Sequence, residues 1–207
     1  PNDWVSALAL RGDTLYAGGW FWQMGGQIHR SLAAVDAVSG AVLPWQLDTD
    51  GVVNALAVGD TTVYAGGVFQ HANGQDRLNL LAFDATNGTL RDWAPSPSGP
   101  REDYYTARVN VLAARGNTVF VGGDFTTIAG EQRASLAALD GVTGEAIDWN
   151  PNPDQSVWAL VVGGNRLHAG GYFQAAAGLP HLAVFGVSLP GMEPPPAPLG
   201  PVVVLSP

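Results

Sequence analysis

Four side chains able to carry positive charge recur in one register. His29, Arg77, Arg133 and His181 each stand three residues after a glycine of a repeated pattern, namely Gly26, Gly74, Gly130 and Gly178. A ring of such groups would bind an acidic polymer or a sugar acid. Alternatively, each pairs with a carboxylate such as Asp92 or Asp148 and ties neighbouring units together. A position repeated in every unit is usually architectural, so the second reading is preferred. An unrepeated feature is a better binding candidate. Between Trp93 and Val109 lies an eight-residue insertion, in the stretch 96–106, carrying Arg101, Glu102, Asp103, Tyr104 and Tyr105. Loops on a rigid scaffold are where binding residues concentrate, and two adjacent tyrosines offer rigid amphipathic area for a sugar or protein partner. The alternative is a solvated length variation.

Other residues invite chemistry and are better explained by structure. Asp36, Asp84 and Asp140 recur with Gly40, Gly88 and Gly144 four residues on, and capping of a hairpin turn accounts for them without a metal or cofactor. Trp45, Trp93 and Trp149 recur in phase, which argues for packing over ligand stacking. Trp20 and Trp22 occur in the first unit only. They either mark a binding surface or fill space between units, and filling is the preferred reading. His71 and His168 fall at unrelated positions, so the four histidines form no metal-spaced cluster; His168 reads as a satisfied core or rim residue. There is no Gly-x-Ser-x-Gly elbow, His-Glu-x-x-His, phosphate loop or EF-hand loop. No catalytic residue, metal ligand or cofactor is assigned, and a noncatalytic chain is the expectation.

Composition narrows the setting. The chain has 207 residues and no cysteine, which excludes disulfide scaffolds, thiol catalysis and thiolate metal sites. At this size a compact fold buries roughly 70% of the unfolded surface, so a core needs no covalent staples. The net charge is −9, and all nine basic residues are Arg. No basic run offsets that field, so nucleic acid is not an expected partner. No apolar stretch approaches the length of a membrane helix. The start at Pro1, without Met or a signal-peptide pattern, reads as a processed or excised piece of something longer.

The elements that must position these residues come from an internal repeat. Segments beginning at Val5, Val53, Val109 and Val157 are each followed by Gly-Gly-x-Phe, at Gly18, Gly66, Gly122 and Gly170, with spacings of 48, 56 and 48 residues. Period-2 alternation, Gly-rich turns and the lack of any sustained 3.6 period predict four short strands per unit. In the first unit these are residues 5–10, 15–22, 31–37 and 41–47. Four strands in 40 to 50 residues is the period of a β-propeller blade. The Gly-Gly-x-Phe, Gly-x-x-Arg and Leu-Ala pattern resembles the bacterial β-propeller repeats of the delta-60 type. The Asp-x-x-x-Gly hairpin leading to a Trp is similar, more weakly, to the pyrroloquinoline-quinone enzyme repeat, in which such Trp residues pack between blades.

The expectation is an all-β propeller of about four 48-residue, four-stranded blades over residues 1–187, either by itself or as part of a larger ring. Residues 188–207 form a Pro-rich linker and a strand-like tail. The fourth unit loses two residues after Gly178, and its hairpin Asp is replaced by Gly186. Its open edge invites the segment 202–205 to add a strand, in its own blade or a neighbouring chain. The resemblance and the acidic composition imply an extracellular or cell-surface binding, adhesive or assembly module, with a protein, a carbohydrate or copies of itself as partner. A quinone-dependent oxidoreductase fragment and a surface-layer or filament building block are the alternatives.

Overall fold

The computed structural model describes residues 1–99, 107–174 and 181–187. Arg101, Tyr104, Tyr105 and the whole of 188–207 lie outside the described residues, as does Gly178. Among the described residues there is no helix, and the chain forms four three-stranded antiparallel sheets in sequence order. The first holds β1 (Trp4–Arg11), β2 (Thr14–Trp20) and β5 (Leu32–Asp36), with a small hairpin of β3 (Gln23–Met24) and β4 (Gln27–Ile28) at one end. The second repeats this with β6 (Val52–Val58), β7 (Thr62–Val68), hairpin strands β8 (His71–Ala72) and β9 (Gln75–Asp76), and β10 (Leu80–Asp84). The third has β11 (Arg108–Arg115), β12 (Thr118–Asp124), hairpin strands β13 (Thr127–Ile128) and β14 (Glu131–Gln132), and β15 (Leu136–Asp140). The fourth comprises β16 (Val157–Gly163), β17 (Arg166–Gly171) and β18 (Leu182–Gly186).

The paired glycines of each unit do two different jobs. The inner strand bulges opposite them, between Val5 and Ala7, Val53 and Ala55, Val109 and Val111, and Val157 and Ala159. That bulge brings a carbonyl of the inner strand against the second glycine. A Cβ on Gly19, Gly67, Gly123 or Gly171 would overlap the carbonyl oxygen of Trp4, Val52, Arg108 or Ser156. The first glycine faces the next sheet instead. A Cβ on Gly18, Gly66 or Gly122 would overlap the side chain of Val53, Val109 or Val157. The second, third and fourth sheets therefore each carry a valine that seats on a glycine of the sheet before it.

The expected fourth strand is corrected to a single bridge in each of the first three units: Val35 to Val42, Phe83 to Leu90 and Leu139 to Ala146. The chain then leaves the sheet edge because its Trp is needed elsewhere. A Cβ on Gly88 would overlap the Trp45 indole, and one on Gly144 would crowd Trp93, so each ring docks on the hairpin of the following unit. Trp149 lies edge-on to Phe120 and Phe185, at 5.6 and 5.5 Å between ring centres. The hairpin itself is tied by its aspartate: Asp36 accepts from the amides of Val38 and Ser39, and Asp140 from those of Val142 and Thr143. Those amides, Ser39 foremost, hold the Asp36 carboxyl below the usual carboxylate range.

Contact between sheets runs in order, first to second, second to third and third to fourth. Apolar clusters fill the three joints. Two tyrosines cross them, Tyr16 donating to the carbonyl of Ala85 and Tyr64 to that of Gly141. His168 stands at the equivalent place in the fourth sheet and is exposed, not a core residue.

Candidate binding surface

The end of the molecule bearing the small hairpins gathers the unrepeated side chains. Trp20 ends β2, and Trp22 follows the buried Phe21 by one residue. The sequence favoured these rings as filling between units, and that reading is corrected here. Trp20 and Trp22 are 41% and 52% exposed, edge to face with ring centres 6.1 Å apart. The Arg30 guanidinium lies 5.8 Å over the Trp22 ring. Other units place Val68 and Gln70, Asp124 and Thr126, or Tyr172 and Gln174 at these two positions. The second position is polar in those three units, which is the sequence signal that a side chain there meets water.

These side chains line a groove of about 160 Å³ with Thr49, Asp50 and Gly51 from the connection to the second sheet. Its walls are held by backbone caps. Asn2 accepts from the amides of Trp22 and Gln23, and Asp50 accepts from those of Gln70 and His71 in the next unit. Asp48 fixes Arg30 through its amide at 2.8 Å. Asp50 also meets the His71 ring, Nδ1 to Oδ2 at 2.7 Å, and His71 Nε2 is 3.4 Å from Asp76. The Asp50 hydrogen bond raises the His71 pKa above the ordinary value. The groove thus combines two indole faces, a guanidinium and a carboxylate, a set suited to stacking and hydrogen bonding with a polar ring.

The recurrent basic residues have a different setting. His29 and Arg77 are buried, and burial lowers the His29 pKa, with Asp48 opposing. Arg77 donates to the carbonyls of Asp76 and Arg91 and lies 3.9 Å from Asp92. Arg133 donates to the carbonyl of Gln132 and lies 3.9 Å from Glu131. His181 leaves this register. Its carbonyl accepts from Gly171, as those of Ser31, Asn79 and Ser135 accept from Gly19, Gly67 and Gly123. All four residues have positive φ, so His181 is the partner of Ser31 and not of His29. The two-residue loss in the fourth unit moves it there. Within the stretch 96–106, Ser98 bridges Thr127 and exchanges backbone hydrogen bonds with Thr126 and Thr127, so it docks on the third unit's hairpin.

At the opposite end, a cleft of about 500 Å³ lies between the second and third sheets, with Thr61, Tyr64, Arg91, Trp93 and Asn117 in its lining. Several of its donors are engaged: Arg91 Nη2 with Asp84 and Thr61, Asn117 with Asp140, and the Trp93 indole with the Asp140 carbonyl, while Arg91 Nε is buried without a partner. Among the described residues, no group of three or more His, Asp or Glu side chains is placed to hold a metal ion. No helix among them is long and apolar enough to cross a membrane.

No protein-family model matches the sequence, and no curated protein matches it. Solved structures do. The computationally designed Ika4 protein is 17% identical with a TM-score of 0.59, over 91% of this chain and 94% of its own. The designed Ika8 protein is 18% identical with a TM-score of 0.56, over 88% of this chain and 46% of its own. BamB from Moraxella catarrhalis is 17% identical with a TM-score of 0.54, over 91% of this chain and 46% of its own. The chain therefore spans under half the length of Ika8 and BamB. At these identities the likeness concerns fold alone, and the fold is an all-β propeller repeat fold.

Proposed function

We propose that this chain is a noncatalytic extracellular β-propeller module of four blades within a larger ring, of the delta-60 repeat type, acting in binding, adhesion or assembly. The observation that carries the binding role is the exposed Trp20–Trp22 pair with Arg30 over it, where no other unit has aromatic residues at both positions. Two large indole faces left in water beside a guanidinium favour a ligand that covers them. A carbohydrate fits best: its ring face stacks on Trp22, its hydroxyls reach Arg30 and Asp50, and the carboxylate of an acidic sugar pairs with Arg30.

Tryptophan fluorescence titrated with a panel of neutral and acidic oligosaccharides tests this reading. Binding should weaken about tenfold in Trp22→Ala, with the melting temperature nearly unchanged. If no saccharide binds, or if binding survives both Trp20→Ala and Trp22→Ala, the groove is not the site.

A further inference from the structure

The three joints between sheets are copies of one interface, and among the described residues that interface occurs a fourth time as two unjoined halves. In each joint one sheet offers a valine and, a few residues on, a leucine. The sheet before it offers a glycine socket flanked by a leucine of its third strand. Val53, Val109 and Val157 are fully buried in this way. So are the socket leucines Leu32, Leu80 and Leu136, at 0% exposure each.

The first and fourth sheets end the series with the two halves bare. On the first, Val5 and Leu8 occupy the plug positions, and Leu8 is 62% exposed where Leu112 and Leu160 are 7% and 9%. Leu10, next on the same face of β1, is equally bare. On the fourth, a Cβ on Gly170 would meet nothing closer than 3.6 Å, whereas its three counterparts are filled by valine. Beside it Leu182, paired with Gly170 as Leu80 is with Gly66, is 48% exposed. His168 stands where Tyr16 and Tyr64 reach a carbonyl of the following sheet.

We infer that a second copy of this chain completes both halves: Val5 and Leu8 of each copy seat on Gly170 and Leu182 of the other, closing two arcs of four sheets into one ring of eight. The occupant is argued from the joint itself. A surface that accepts Val53, Val109 and Val157 in turn accepts a sheet bearing the same residues at the same spacing, and Val5 and Leu8 are such a pair. The joint is heterologous, plug to socket, and two copies are the smallest assembly that leaves no half uncovered. It uses none of the residues that line the Trp20–Trp22 groove, so the pairing stands or falls independently of the carbohydrate reading.

Light-scattering mass of the full chain in solution is the test. The wild type should run at the mass of two chains. Leu8→Glu, which blocks the plug, and Gly170→Leu, which fills the socket, should each weaken association about 30-fold or more and run as single chains. Leu8 is exposed and a Cβ on Gly170 meets nothing closer than 3.6 Å, so each variant should keep the β-sheet circular dichroism of the wild type. An equimolar mixture of the two variants should return to the two-chain mass, because one intact plug then meets one intact socket. A wild-type mass other than two chains overturns the inference. So does a two-chain mass that survives either substitution, or a mixture that stays monomeric.

Discussion

The Tyr64 hydroxyl donates to the Gly141 carbonyl at 3.0 Å, across the joint between the second and third sheets and onto the hairpin turn held by Asp140. The ring also stacks near Trp93, with 5.0 Å between centres, so one side chain ties a strand, a docking Trp and the neighbouring turn. Burial raises the Tyr64 pKa, which keeps the phenol protonated and donating across the neutral range.

Tyr64→Phe should therefore cost about 1 kcal/mol, the usual net value of one hydrogen bond. For a domain of this size that lowers the melting temperature by about 2–4 °C. The third unit carries Phe120 at this position, fully buried, so the ring alone packs acceptably. Thermal unfolding followed by circular dichroism checks the figure, and an unchanged midpoint would show that the bond contributes nothing.

Substitution of three glycines by alanine should rank by what the new methyl meets. Gly67→Ala pushes a methyl into the Val52 carbonyl, which belongs to backbone and cannot yield; a loss of ~3 kcal/mol or more is expected. Gly66→Ala meets the Val109 side chain, which can shift, so ~1–3 kcal/mol is expected. Gly12→Ala meets nothing within 4 Å and bears only its left-handed φ of +54°, at a cost of about 1 kcal/mol. Urea denaturation of the three variants reads the order directly, and a Gly12 variant less stable than the Gly67 variant would contradict it.

His71 and His29 should titrate on opposite sides of the ordinary histidine value. The Asp50 hydrogen bond raises the folded His71 pKa, so its contribution is complete below about pH 6.5 and is lost as pH rises through the raised value. Burial lowers the folded His29 pKa, so the unfolded chain takes up that proton first and stability falls as pH drops below about 6.5. NMR titration of the ring protons separates the two, and the reverse order would refute the assignment. In His71→Asn the stability lost on raising the pH should disappear, while the His29 slope remains.

Much of this molecule was legible in one dimension because the signals are local. The strand alternation, the Asp-x-x-x-Gly hairpins and the 48-residue phase each depend on neighbours in sequence, and the all-β propeller repeat follows from them. The docking of Trp45 and Trp93 was legible as well, since a ring repeated in the first three units serves the joint that each of them makes with the next. The fourth strand was not. Residues 41–47 have the composition of a strand, but the pull of Trp45 onto Gly88 takes the chain off the sheet edge after one bridge. His181 counts in phase with His29 from the preceding glycine, and only the Gly171 hydrogen bond reveals that it aligns with Ser31. Exposure was the least legible property. Val5 and Val53 have similar neighbours in sequence and the same place in the sheet, yet one is buried and the other faces water. The difference lies wholly in whether another sheet stands beside them. Burial is a relation between surfaces, and no residue carries it alone.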